Sequence, residues 1–269
     1  MSNIIELPDH KKLKEEIKEF REKLEQYYFE HDHLIYTVCE NIRMEYALEF
    51  GALEYNLFEA YSKYHRLRRK RDLIQEKINR QEEINLKEIE EALDNEFIEY
   101  KEKLDQKMSD IISAVERKDG EFLFEADTEE LNKLYRILVK KLHPDLNKDM
   151  TDEMLRLFHS VIEYYKKGNL EMLRLINEVV ENAKPFDLEK SSLKELQKER
   201  DRLEDLVITM EAKIGWIKSK YPYNAKIYLD DESKKQEKKE ELKTQLNAYT
   251  EAIKTIEEYI KKLLGEKYE

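Results

Sequence analysis

Three clusters in the 269-residue chain hold side chains capable of chemistry. His143-Pro144-Asp145 sets an imidazole and a carboxylate on either side of a proline. Proline fixes φ and removes a backbone donor, so the two groups share a stiff turn; the imidazole can donate and accept, and the carboxylate suits a bidentate bond from a partner's arginine. Just upstream, Lys133, Arg136, Lys140 and Lys141 supply four positive charges against Glu129 and Glu130. Lys133, Arg136 and Lys140 fall three and four residues apart, a single helical face that can meet an acidic surface. A catalytic His143–Asp145 dyad is the weaker reading, because no nucleophile, metal-ligand set or Gly-rich loop accompanies it.

The other two clusters read as structural. Arg66-Leu67-Arg68-Arg69-Lys70-Arg71 has five cations in six positions. On a continuous helix these radiate around the rod instead of lining one groove, so a solvated segment facing an acidic neighbouring helix is expected, not a nucleic-acid site. His31-Asp32-His33, with Cys39 downstream, lacks a zinc-ligand spacing and reads as a helix start with an aspartate cap. Tyr221, Tyr223 and Tyr228 concentrate aromatic surface where loops are usually polar; a partner-binding tip and packing onto the helical arm's own end are both open. No metal, cofactor or enzymatic activity is expected.

The elements that must position these groups are helical. With only 5 Gly and 4 Pro, the chain is poor in the residues that the many turns of a sheet protein require. Its mean hydropathy of -0.86 and 41% charged residues suit long helices with a thin core. A net charge of -12 gives no global attraction to nucleic acid or anionic membrane. The lone Cys39 cannot close an internal disulfide, Met1 to Glu16 lacks the apolar stretch of a signal peptide, and no run of apolar residues is long enough to span a membrane. A cytoplasmic protein is expected.

Apolar periodicity divides the chain into three regions. In 1–120, Leu13, Ile17, Phe20, Leu24 and Tyr27 mark one helix, and a seam from Ile35 to Ile78 marks a second of about 44 residues, ~66 Å long. A third stretch, Leu86 to Val115, is expected to fold back on it after a polar reversal at Asn79 to Glu83. In 186–269, Leu196, Leu203, Met210 and Ile217 alternate with Leu193, Arg200, Val207 and Ile214, and Leu242 to Leu263 repeats the heptad. The break at Tyr221-Pro222 predicts that these two strands pair as an antiparallel hairpin. In 121–185, Asp127 and Glu130 have capping-box spacing, and Leu131, Leu134, Leu138 and Leu142 form an apolar face ending at the His-Pro-Asp turn. A further helix runs from Thr151 to Lys166, and another from Leu170 to Val180.

Here the chain resembles the J-domain (DnaJ-like) family. Tyr135-Arg136-Ile137-Leu138, the basic residues and His143-Pro144-Asp145 match the family's second helix and loop, Asn147 follows, and Phe158, Val161 and Tyr165 match its third helix. Arg117 to Ala126, with Phe122-Leu123-Phe124, stands where the family has a short first helix, and Leu146 stands where lysine is common. The chain has neither a Gly/Phe-rich linker nor a Cys-x-x-Cys repeat, so the resemblance is to J-domain-only proteins. The expected fold is all-α and elongated, with a J-like module between two coiled-coil arms, and the resemblance implies a co-chaperone that docks on an ATP-bound DnaK-type chaperone and stimulates its hydrolysis. His143, Pro144, Asp145, Lys133, Arg136, Lys140 and Lys141 would form the docking surface, and the coiled coils would hold a protein client or partner. The other reading is a coiled-coil scaffold whose J-like hairpin has lost chaperone coupling.

Overall fold

The computed structural model describes residues 8–119, 125–147, 150–180 and 191–265. The fold is all-α. Its helices are α1 (Pro8–His33), α2 (Cys39–Asn79), α3 (Leu86–Glu96), α4 (Ile98–Asp119), α5 (Glu125–Leu142), α6 (Asp152–Lys166), α7 (Leu170–Val180), α8 (Leu193–Ser219), α9 (Lys226–Asp230) and α10 (Glu232–Leu264), with a π-helical turn at Leu34–Val38. Among the described residues there is no strand, and no helix is long and apolar enough to cross a membrane.

Two compact units result, and they do not follow the three consecutive regions read from periodicity. The first combines Met1–Glu40 with Glu121–Asn224, and the second combines Asn41–Gly120 with Ala225–Glu269. The expected α8–α10 hairpin is therefore corrected, since each strand has another partner. α8 packs along α1, its seam residues Leu196, Leu203, Val207 and Met210 sharing one core with Ile17 and Leu24. Ion pairs Glu16–Arg200 and Glu30–Lys218 advance in the same direction along both helices, so the pair is parallel. Most of the α8 heptad is used as read, although Leu193 is exposed, but a heptad carries no address, and the seam of α1 completes that of α8.

In the first unit α5, α6 and α7 close on this pair. Leu131, Tyr135, Leu138, Val139 and Leu142 bury one side of α5 against Phe158, Val161 and Tyr165 of α6 and Leu173 and Ile176 of α7. Thr151 caps α6 through Met154 N–H, while Gly168, at φ 65°, ends it in the left-handed region that favours glycine. Ser192 and Glu195 form a reciprocal capping box at the start of α8. Asp127 and Glu130, in contrast, lie inside α5, which begins at Glu125, and Glu130 instead holds Arg174. Phe122-Leu123-Phe124 lies outside the described residues.

In the second unit α3 and α4 return along α2, as expected. Partners on α3 and α4 step forward, from Glu90 to Lys107 and Arg117, as those on α2 step back, from Arg66 to Glu54 and Asn41. Gly51 permits close approach, because a Cβ there would lie 2.8 Å from Ile111 Cγ1. The stretch from Leu86 is broken at Phe97, between α3 and α4. Helix α10 runs parallel to α2, Tyr249 packing on Tyr61 and Tyr64, Glu257 pairing with Lys63, and Ile256 and Ile260 sharing a core with Ile74.

Candidate functional site: the His-Pro-Asp loop

Helix α5 stops where Pro144 removes the next amide donor, and the freed carbonyls find local partners. His143 N–H still bonds Val139 O at 2.8 Å; the N–H groups of Leu146 and Asn147 then both reach His143 O, at 3.0 and 3.1 Å. The Asn147 side chain adds bonds to Lys140 O and His143 O. Leu146, at the position where the resemblance leads one to expect lysine, is buried in the core of this unit. The turn is thus held from both its backbone and its apolar side.

His143 is enclosed, contrary to what its loop position suggests. Its side chain is only 14% exposed. The ring stacks on Tyr28 of α1 with centroids 3.6 Å apart and meets the edge of Phe158 at 5.0 Å. Nδ1 accepts the Asp145 N–H at 3.1 Å, which leaves the neutral ring's proton on Nε2. Burial pushes this imidazole well below the usual histidine range, against the opposing pull of Asp145 and Asp32. Asp145 is 43% exposed, and its Oδ2 accepts the Tyr28 hydroxyl at 2.6 Å. Arg202 of α8 donates from Nη2 to the Asp145 carbonyl at 2.9 Å. Pro144 is exposed.

Of the basic residues, Arg136 and Lys140 face α1. The Arg136 guanidinium lies 4.0 Å over the Phe29 ring, and Lys140 pairs with Glu25 at 2.8 Å. Lys133 is exposed one turn earlier, and Lys141 turns to Asn177 of α7 at 3.3 Å. Below this face, Tyr135 stacks on Tyr165 at 3.9 Å and donates its hydroxyl to Asp32. Burial first, and Asp32 second, raise the Tyr135 phenol, so it remains a donor. His33 Nδ1 lies 3.0 Å from the Tyr165 hydroxyl. The stretch expected to start a helix, His31 to His33, instead ends α1 and runs on into the π-turn with no side-chain cap at His33, and His31 Nδ1 lies 2.8 Å from Asp32 Oδ1.

Sequence reasoning missed Tyr28, Phe29, Glu25, Glu199 and Arg202. Glu199 is buried and bonds Arg202 at both carboxylate oxygens, 3.0 Å each, and Arg21 of α1 at 3.3 Å. The available signal was Tyr27-Tyr28-Phe29, three successive aromatics that span more of a helix than one seam can use. Tyr221 is exposed and Tyr223 and Tyr228 are half-buried, on the 3₁₀ turn Tyr223–Ala225 and on α9 respectively for the latter two. The Arg66 to Arg71 segment meets acidic α3: Arg66 bonds Glu90 and Asp94, Arg69 bonds Glu96, and Lys70 bonds Glu90. Among the described residues, no group of three or more acidic, histidine or cysteine side chains could hold a metal ion. Compared with protein-family models, curated proteins and solved structures, the chain shows no match in any of the three.

Proposed function

We propose that the chain is a J-domain co-chaperone, of the J-domain-only type, that docks on a DnaK-type chaperone in the cytoplasm and stimulates its ATP hydrolysis without being an enzyme itself. One observation carries the reading: a helix with Lys133, Arg136 and Lys140 along it ends in a proline-stiffened turn that joins His143 to Asp145 by a backbone-to-ring hydrogen bond. Such a turn is a preorganised recognition element, in which the carboxylate and imidazole are oriented before a partner arrives. The basic helix would steer an acidic partner surface, and Asp145 would take its arginine. The paired helices α1–α8 and α2–α10 would serve a protein client or targeting partner, with the Tyr221, Tyr223 and Tyr228 segment available to the same role.

The scaffold reading keeps one observation in its favour, the burial of His143 beneath Tyr28. The two readings part in a single-turnover ATPase assay with a DnaK-type chaperone and a large excess of the chain. The co-chaperone reading expects stimulation, lost in Asp145→Asn and weakened in a salt-dependent manner by Lys133→Glu. Stimulation that Asp145→Asn leaves intact contradicts it.

A further inference from the structure

The groups that a partner would read on the His-Pro-Asp loop are already occupied from within the chain. Tyr28 engages both at once, its ring covering the imidazole and its hydroxyl bonding the Asp145 carboxylate. That second bond is not demanded by burial, because Asp145 is 43% exposed and water could satisfy its oxygen. A phenylalanine would stack equally well, so the hydroxyl adds a specific hold on the loop. Burial and the bond to Asp145 both raise the Tyr28 phenol, which keeps it a donor throughout the physiological range.

A second hold comes from α8. Arg202 reaches the Asp145 carbonyl with a guanidinium fixed by two bonds to Glu199, itself buried and shared with Arg21 of α1. The loop is therefore tied to the α1–α8 pair as a unit. Along α5, Glu25 and Phe29 of α1 take the Lys140 ammonium and the Arg136 guanidinium that an acidic partner would need. Resting on the co-chaperone reading, we infer that α1 and α8 form an internal clamp on the His-Pro-Asp loop, and that a DnaK-type partner reads the loop only after Tyr28 and Arg202 have released it.

Closure of this kind divides the chain between a covered and an open form, and it lowers the apparent affinity for the partner by the open fraction. Releasing Tyr28 should then shift the concentration for half-maximal stimulation without changing the maximum. The test uses the full chain as wild type, Tyr28→Phe, Tyr28→Ala and Arg202→Gln, with two readouts. The first needs no chaperone: NMR titration of the His143 imidazole should move from its depressed value toward 6.5 in Tyr28→Ala, while far-UV circular dichroism shows the helices retained. The second is the half-maximal concentration in the ATPase assay, which should fall about tenfold in Tyr28→Ala and less in Tyr28→Phe and Arg202→Gln. Adding Asp145→Asn to Tyr28→Ala should abolish the gain. Equal half-maximal concentrations in all four chains overturn the clamp and leave the co-chaperone reading standing. No stimulation by any chain, with His143 of Tyr28→Ala titrating normally, overturns both, because the loop is then open and still unread.

Discussion

On α2, Arg66, Arg69 and Lys70 bond the carboxylates of α3 at 2.6, 2.9 and 2.5 Å across a surface that water reaches. On α5, Arg136 and Lys140 meet α1 beside a histidine that water hardly reaches. Both are basic helices facing acidic or aromatic neighbours, yet they do different work. Exposed ion pairs contribute about 0–1 kcal/mol each and are screened by salt, so the α2–α3 set mainly neutralises charge on adjoining helices. The α5 contacts belong to a layer that continues through Tyr28, Arg202 and buried Glu199 into a hydrophobic core. There, access to the loop is coupled to packing.

The largest break in this comparison comes from the cores. Leu24 and Leu93 are each fully buried, one in each unit, and truncation to alanine should cost about 3 kcal/mol in the unit that carries it, read by denaturant unfolding. Only Leu24→Ala should also raise the titration midpoint of His143. Equal effects of the two on His143 would show that the loop responds to general loosening and not to α1.

Acid should separate the two regions as well. His143 and His33 have folded-state pKa values lowered from 6.5, chiefly by burial, so the folded first unit binds fewer protons than its unfolded chain. Its stability is full above about pH 6.5 and falls as pH drops from there toward the folded-state values. In the second unit the resolved carboxylate shifts run downward from 4.5 at Glu82, Glu90 and Glu96, held by Lys77, Lys70, Arg66 and Arg69, and at Glu232, held by Gln236 and Lys235. That contribution is full above about pH 4.5 and is lost only below it. Between pH 6.5 and 5, hydrogen exchange should accelerate in α5 and the loop while α2 and α3 hold; the reverse order would contradict the burial of His143.

Two smaller effects sharpen the picture. Gly168→Ala forces a side chain into φ 65° at the end of α6 and should cost about 1 kcal/mol. Arg69→Gln removes an exposed two-bond pair with Glu96 and should cost about 0.5 kcal/mol or less, with no change in retention on nucleic acid at physiological salt. A steeply salt-dependent loss of DNA or RNA binding in that variant would reassign the basic stretch.

Much of the local structure was legible in the sequence because it rests on local physics. Pro144, Thr151 and Gly168 mark helix ends for reasons contained within a few residues, and the apolar seams of α2, α8 and α10 follow from period alone. Pairing was not legible. Leu196, Leu203 and Met210 describe a seam without naming its partner, and the nearest heptad in the chain, α10, is not the one α8 uses. The site was half legible: residue types and spacing marked His143, Asp145 and the basic face. Tyr28 and Arg202 reach the loop from 117 and 57 residues away, a distance over which spacing carries no information. The junction of α1 and α2 was misread because a π-turn keeps helical backbone while its side chains turn to a new face.

A DnaK-type chaperone that docks on the loop must first free it from Tyr28 and Arg202, and hydrogen exchange on the full chain reads docking and release at once. With an ATP-bound DnaK-type chaperone present, amides in residues 133–146 should keep or gain protection while those in residues 24–33 lose it; the ADP-bound chaperone should produce neither change. Unaltered exchange in both segments with chaperone in saturating excess, or equal protection gained by α1 and the loop together, would contradict the account.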